Sequence, residues 1–196
     1  MKNFDDAKIL MVLNLAYPTC YVFYFTSFLA MKRPRGKGVI NFQYNVGPPH
    51  MALNEATKTW KDFDAVLLTE WDHQFPQDGL EKLWNDNKPV VSGMYRSRRA
   101  KDNEYILMNE DPKTNVMTGY VKPPKERLFT IDATGLGFML IRKEVLEKLK
   151  PPFFEMGQEG KDNFDRMWCR KLREHGFKIW IDQEVKLGHW ISEMKW

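Results

Sequence analysis

The chain has 196 residues, a formal net charge of +4, 43% hydrophobic residues and two cysteines. This length and composition predict a soluble globular protein with a single domain over residues 1–196, and they exclude a disulfide framework. We therefore expect Cys20 and Cys169 to be reduced and the protein to be cytoplasmic. The small positive charge suits a polyanionic ligand such as a nucleotide or nucleic acid, but requires neither.

The first apolar stretch covers residues 9–31 and is long enough to be considered as a membrane span. Polar residues and a proline interrupt it, and the acidic residues before it are unlike the basic start of a signal peptide. We therefore predict no membrane span. The pattern instead predicts a buried strand over residues 8–15, a turn over 17–19 and a helix to about residue 31.

The rest of the chain first alternates between strands and helices. Strands are predicted over residues 39–44, 64–69 and 89–95, and helices over 50–60 and 76–85. This alternation indicates an α/β fold with a largely parallel sheet flanked by helices. A hairpin or irregular antiparallel insertion is predicted over 103–130. It is followed by a strand at 138–141, a helix at 143–149, a helix at 162–175 that Gly176 closes, and a strand at 177–181.

The predicted strand at residues 64–69 leads directly into two acids, Glu70 and Asp72. Side chains at i and i+2 of an extended segment point the same way, and open α/β sheets bind ligands at the carboxyl ends of their strands. Two carboxylates held together repel each other unless a cation lies between them. A divalent metal site is therefore one interpretation, and two solvated acids in a surface loop are the other.

Two further places carry reactive groups. Asp162 and Asp165 are three residues apart at the start of a predicted helix, so they share a face, although acids there also stabilise the helix dipole. His189 follows a glycine near the last residues, where a lone histidine is more often structural than a ligand. Carboxylates with one imidazole would suit Mg²⁺ or Mn²⁺. The pair Gly135 and Gly137 lacks the third glycine of a dinucleotide-binding loop.

In their order along the chain, these segments resemble the GT-A fold glycosyltransferases, especially small bacterial and phage members of the family 2 type. The resemblance covers nearly the whole chain. It comprises residues 65–76, like the family's strand, Asp-x-Asp motif and Phe-Pro; 88–95, like the next strand; 134–142, like the glycine-containing segment near donor sugar and acceptor; 165–182, like the segment that begins with the catalytic acid; and His189, where a metal-binding histidine is expected.

The resemblance implies a metal-dependent transfer of a sugar from a nucleotide-diphosphate sugar to an acceptor hydroxyl, with inversion. Asp72 and His189, with Glu70 directly or through water, would hold Mn²⁺ or Mg²⁺. Asp165 is the first choice for the base that takes the acceptor proton, and Asp162 is the second. The sequence does not indicate an oligomeric state.

The resemblance also implies a set of donor contacts. The nucleobase would meet the end of the first strand near Tyr17 and Pro18. Asn54 falls where the family carries an Arg-Asn pair, and here the arginine is missing. The backbone at Gly135 and Gly137 would lie close to the donor sugar.

Two residues depart from the family pattern. Glu70 replaces the first aspartate of the motif, and Phe164 replaces a glutamate before the catalytic acid. A non-catalytic relative that binds sugar nucleotides or nucleic acid therefore stays open as an alternative. A metal-dependent nucleotidyltransferase is another alternative, because it also uses acids at the ends of strands in an α/β sheet. The acceptor is also open between a saccharide, a protein and a hydroxymethylated DNA base. For DNA, the basic clusters at 32–37 and 96–101 would contact phosphates.

Overall fold

A computed structural model of the chain describes residues 2–15, 21–36, 38–97, 104–111, 113–114, 117–157, 163–190 and 194–195. Three of the predicted site residues, Tyr17, Pro18 and Asp162, lie outside these ranges. Cys169 is buried and is a free cysteine among the described residues, whereas Cys20 lies outside them.

The described elements follow the predicted order. The strands are β1 (Lys8–Leu15), β2 (Val39–Val46), β3 (Ala65–Glu70), β4 (His73–Gln74), β5 (Val90–Met94), β6 (Met108–Glu110), β7 (Met117–Tyr120), β8 (Leu128–Ile131), β9 (Phe138–Arg142), β10 (Ile179–Lys186), β11 (Gly188–Trp190) and β12 (Met194–Lys195). The helices are α1 (Val22–Ala30), α2 (Pro49–Ala56), α3 (Gly79–Asn85), α4 (Lys143–Lys148) and α5 (Phe164–Glu174), with short 3-10 turns at Phe4–Asp6 and Trp60–Asp62.

The main sheet has seven strands in the order β2-β1-β3-β9-β5-β10-β8. β1 is parallel to β2 and β3, and β5 is parallel to β10. β9 runs antiparallel to both its neighbours, β3 and β5, and β8 runs antiparallel to β10. The predicted α/β fold with a mostly parallel central sheet is therefore confirmed, and the reversed β9 in its middle is an additional finding.

Two small sheets lie beside the main one. β6 and β7 form the antiparallel hairpin that was predicted within residues 103–130. The other small sheet has the order β12-β11-β4 and was not predicted. It joins the segment directly after β3 to the segment directly after β10, so it brings distant parts of the chain to one place.

The core lies on both faces of the sheet because side chains alternate along each strand. On β1, Leu10 and Val12 belong to a core that includes residues of α2, α4 and α5. Ile9 and Met11 belong to a second core that includes residues of α1 and α3. The strands in the middle of the sheet are buried on both faces, which explains their uninterrupted apolar sequences.

The apolar stretch at residues 9–31 separates into β1 and α1, as predicted from its interruptions. No helix among the described residues has the length and apolar character needed to cross a membrane.

Helix α5 begins and ends at identifiable caps. The Asn163 side chain accepts a hydrogen bond of 3.1 Å from the backbone N–H of Arg166, and after this cap the helix begins at Phe164, two residues later than predicted. Gly176, with φ +80°, follows the last turn in the left-handed conformation that glycine adopts most readily. The first turn of α5, which carries Asp165, is therefore held in a fixed position.

A buried pair of acids shares one arginine at the edge of α3. The Arg127 guanidinium lies 2.7 Å from Asp86 Oδ1 and 2.6 Å from Asp182 Oδ2, and both carboxylates are buried. Burial raises the pKa of Asp86 to about 6; Arg127 opposes this, and the charge of Asp182 adds to it. The folded protein therefore holds a proton on Asp86 at a pH where the unfolded chain, with an ordinary pKa of 3.8, has released it.

Replacing Asp86 with asparagine should change how stability depends on pH. For a carboxyl whose folded pKa is raised, stability is greatest below the unfolded pKa and is lost as pH rises through the folded pKa. The unfolding free energy of Asp86→Asn should therefore rise relative to wild type by up to about 3 kcal/mol between about pH 4 and pH 7. Urea denaturation across this range measures it. Asp78→Asn, at a partly exposed pair with Lys82, is the control, and equal pH profiles for wild type and Asp86→Asn would contradict the prediction.

Candidate metal centre and active site

The pairing of β4 with β11 builds the candidate site. Asp72 lies in the turn between β3 and β4, and its carbonyl oxygen accepts a hydrogen bond of 2.9 Å from the Trp190 backbone N–H. Across the two antiparallel strands, His73 is the direct partner of His189. The carboxyl end of β3 and the strand after β10 therefore meet, and they bring their polar side chains together.

Asp72, His73 and His189 form a buried cluster that could hold a metal ion, and we call these three residues the metal group. One ligand atom from each lies within 4.8 Å of the others. His73 Nδ1 is 3.1 Å from Asp72 Oδ1, and His189 Nε2 is 3.5 Å from Asp72 Oδ2. The structure thus brings together the predicted ligands Asp72 and His189.

His73 is a member of the metal group that the sequence interpretation missed. Because His73 directly follows Asp72, a predicted metal ligand, its position in the sequence could have marked it as a further ligand. The ring of His73 stacks on that of His189 with centroids 4.2 Å apart. Glu70, the third predicted ligand, places Oε2 at 3.7 Å from His73 Nδ1, so it lies at the edge of the group.

The hydrogen bonding of His189 suits a metal ligand. His189 Nδ1 lies 2.6 Å from the carbonyl oxygen of Arg96. Because a carbonyl only accepts, Nδ1 carries the proton, and in a neutral ring Nε2 presents its lone pair towards Asp72 Oδ2. A lone pair and a carboxylate repel unless a proton or a cation lies between them. Metal-binding histidines in proteins are commonly oriented in this way.

The environment of His73 keeps its ring neutral. Burial lowers the pKa of His73 to about 4, and the charge of Glu70 only partly offsets this. Neither ring nitrogen of His73 has a hydrogen-bond partner among the described residues. A neutral imidazole is the form that binds metal ions, so the donor set fits a divalent cation.

Glycines allow the wall of the site to pack closely. Tyr95 lies edge-on to His73, with centroids 4.3 Å apart, and its hydroxyl accepts a hydrogen bond of 3.0 Å from the Gly137 N–H. A Cβ on Gly137 would lie 2.7 Å from His73 Cε1, and a Cβ on Gly135 would lie 2.1 Å from the Tyr95 hydroxyl. The absence of a side chain at both glycines therefore leaves the space that His73 and Tyr95 occupy. Their predicted contact with a donor sugar stays a prediction.

Asn54 makes its contacts within the chain. Its Nδ2 donates to the carbonyl of Phe154 at 2.7 Å, and its Oδ1 accepts from the backbone N–H groups of Phe153 and Phe154 at 2.8 and 3.0 Å. These bonds fix α2 to the segment after α4. The predicted role of Asn54 in donor binding stays untested, and its visible role is structural.

Asp165 lies in the first turn of α5 and shares an electrostatic environment with Glu70. Its Oδ1 is shielded from solvent and has no hydrogen-bond partner among the described residues. Burial raises the pKa of Asp165 well above its ordinary value; the charge of Glu70 raises it further, and Arg166 opposes. Burial likewise raises the pKa of Tyr95, and both carboxylates add to this. Glu70, Tyr95 and Asp165 therefore lie close enough together for the two carboxylates to raise the pKa of Tyr95.

A separate cavity of about 460 Å³ is lined by Glu110, Arg170, Arg173 and Glu174. Burial would raise the pKa of Glu110, but hydrogen bonds from Arg173 and Arg170 hold it below its ordinary value. Glu110 therefore already pairs with both arginines. The cavity contains none of the metal group, and we assign the chemistry to the metal group instead.

No family model matches the chain, and no curated protein matches it. Solved structures do match. A197 from STIV is 19% identical with a TM-score of 0.64, over 94% of this chain and 86% of that one. GalNAc-T7 with UDP, GalNAc and Mn²⁺ is 9% identical with a TM-score of 0.64, over 93% of this chain and 44% of that one. S. aureus TarS 1–349 in complex with UDP-GlcNAc is 10% identical with a TM-score of 0.55, over 91% and 58%.

These similarities concern the fold. The chain spans less than two thirds of both the GalNAc-T7 and the TarS chains. Together with the mixed sheet and its reversed β9, they show that this chain has a GT-A-like fold.

Proposed function

We propose, from the GT-A-like fold, that the protein is a metal-dependent glycosyltransferase that uses a nucleotide-diphosphate sugar and inverts the anomeric carbon. The observation that carries the proposal is the buried metal group at the carboxyl end of β3, where Glu70 Oε2 lies 3.7 Å from His73 Nδ1. Open α/β sheets bind ligands at this edge. The fold similarity to GalNAc-T7 and TarS supports the class of donor.

Asp72, His73 and His189 would hold the cation, and Glu70 would add a ligand directly or through water. Two imidazoles with a carboxylate favour Mn²⁺ over Mg²⁺, because Mg²⁺ prefers oxygen ligands. The structure of GalNAc-T7 contains Mn²⁺. When bound, the cation supplies Lewis-acid stabilisation of the negative charge on the leaving diphosphate.

Asp165 is the proposed base. Its carboxylate takes the proton of the acceptor hydroxyl while that oxygen forms a bond to the anomeric carbon. The bond between the anomeric carbon and the diphosphate oxygen breaks on the opposite face, and the nucleoside diphosphate leaves with its electron pair. The raised pKa makes Asp165 a stronger proton acceptor than an ordinary carboxylate. Asp162 stays the second candidate.

The donor contacts and the acceptor are also proposals. Tyr17 and Pro18 would contact the nucleobase, and Gly135 and Gly137 the donor sugar. A saccharide and a hydroxymethylated DNA base both offer the hydroxyl that the reaction needs. For DNA, binding should weaken steeply as salt rises, since phosphate contacts release counterions.

A panel of nucleotide-sugars tests the function. We expect a thermal shift with one donor that requires Mn²⁺ or Mg²⁺, and metal-dependent release of the nucleoside diphosphate from that donor. Release of inorganic pyrophosphate from a nucleoside triphosphate and a sugar phosphate would indicate a nucleotidyltransferase instead. Tight donor binding without any release, with a broad set of acceptors, would indicate a non-catalytic binding protein. Either of these last two results would overturn the proposal.

A further inference from the structure

The outward face of α1 carries large apolar side chains. Val22, Phe25 and Leu29 are 77, 52 and 59% exposed. Their spacing of i, i+3 and i+7 places them on one side of the helix, and we call them the apolar stripe. No residue between 21 and 31 is charged, so no charge interrupts the stripe.

The inward face of α1 shows that this orientation is fixed. The Tyr24 hydroxyl is hydrogen-bonded to the Thr69 hydroxyl at 2.9 Å, in the buried centre of the domain. Ser27 is also buried, and its hydroxyl donates to the Tyr24 carbonyl at 2.8 Å. The helix therefore turns Tyr24 and Ser27 inward, while Phe23 and Phe28 pack partly against the core and the apolar stripe faces outward. An exposed apolar face of this kind marks an interaction surface.

A cluster of aromatic rings continues the apolar stripe at the start of α1. The Tyr21 ring stacks on those of Phe23 and Trp71 with centroids 5.0 Å apart in each case, and Trp190 lies 5.6 Å away. All four rings are partly exposed. Tyrosine and tryptophan are the side chains that accumulate where a membrane meets water. Trp71 precedes Asp72, so this end of the surface lies beside the metal group.

Arginines lie at the other end of the helix. The Arg33 guanidinium lies 4.5 Å from the centroid of the Phe28 ring and donates to the Phe28 carbonyl, and Arg33 and Arg35 are exposed. Lys32 pairs with Glu81, and the acid Asp5 lies close to Arg35. The net positive charge is therefore small, and apolar contact rather than charge should dominate binding here.

We propose that α1 lies on a lipid bilayer, parallel to its surface, with the apolar stripe at the boundary between headgroups and acyl chains. Apolar side chains along one helix face, interfacial aromatic rings at one end and arginines at the other fit that boundary. The stripe has three side chains, far fewer than the roughly 20–30 residues per side of a stable protein interface. A lipid surface needs no complementary groove.

Docking in this way would hold the metal group close to the membrane surface. The proposal rests on the surface alone and not on the proposed chemistry, so it can fail or succeed independently. An acceptor hydroxyl presented at a bilayer would then reach the site without the protein spanning the membrane.

Flotation with lipid vesicles, without donor or metal, tests the proposal. Wild type should float with phosphatidylcholine vesicles and somewhat more with added phosphatidylglycerol. The variant that combines Val22→Ser, Phe25→Ser and Leu29→Ser should partition at least about 10-fold less to both. Met51→Ser is the matched control, because Met51 is 60% exposed on α2, and it should float like wild type.

Three results would overturn the proposal. Wild type that does not float with either vesicle has no such surface. A triple variant that floats like wild type, with the circular dichroism of a folded protein, would show that the apolar stripe does not insert. A wild-type dimer at micromolar concentration that the triple variant abolishes, without vesicle binding, would assign the stripe to a second copy of the chain.

Discussion

Asp165→Asn is expected to lower sugar transfer by about 10³-fold while metal-dependent donor binding stays close to that of wild type. Asparagine has nearly the same shape but cannot accept the acceptor proton, and general-base catalysis contributes about 10²–10⁴-fold. The loss should fall on kcat rather than on the donor KM. Steady-state kinetics with the donor and acceptor identified by the panel measure the effect.

The folding stability of Asp165→Asn distinguishes a catalytic role of Asp165 from a structural one. Because Asp165 is half-buried with its Oδ1 shielded from solvent, and desolvation and the charge of Glu70 raise its pKa, its ionised form opposes folding above that pKa. Asp165→Asn should therefore be at least as stable as wild type near pH 8. Glu174→Gln, an exposed position on the same helix, should change neither activity nor stability. Wild-type turnover in Asp165→Asn would show that Asp165 is not the base, and Asp162 would then be the candidate to test.

Asp72→Asn is expected to abolish the response of the protein to Mn²⁺. Asp72 is the carboxylate of the metal group, and both histidines lie next to it. An amide oxygen without charge is a much weaker ligand, so thermal stabilisation by Mn²⁺ should disappear. Turnover should fall by about 10³-fold, since charge stabilisation by the cation is worth several kcal/mol.

The control for Asp72 is Asp78→Asn, six positions further on, where the side chain is partly exposed and pairs with Lys82. This variant should keep both the Mn²⁺ shift and turnover. Isothermal titration of the metal into each apo protein gives a readout that does not depend on knowing the donor. Equal Mn²⁺ affinity in wild type and Asp72→Asn would contradict the assignment of the metal group.

Much of the fold was predictable because buried strands of a largely parallel sheet are continuous apolar runs. The predicted strand over residues 8–15 matches β1, and that over 64–69 matches β3 to within one residue. The reversal of β9 was not predictable in this way. An apolar run has no direction, and the direction of β9 is set by its insertion between β3 and β5, which come much earlier in the chain.

The site was partly predictable for a similar reason. Glu70 and Asp72 follow a strongly apolar strand, so the neighbouring sequence alone predicts that they lie at the carboxyl end of that strand. The roles of His73 and Asn54 also depend on contacts with distant parts of the chain. The role of His73 depends on β4, which has two residues and exists through its pairing with β11. The hydrogen bonds of Asn54 depend on a segment about a hundred residues away.

The pairing of β4 with β11 also determines when the metal group is completed during protein synthesis. Asp72 and His73 leave the ribosome long before His189, together with β1, β2 and β3, which already form a continuous part of the sheet. Until β11 has been translated and has docked on β4, a nascent chain has only part of the ligand set. Such a chain lacks His189, so Asp72 and His73 alone would bind a cation more weakly than the complete metal group.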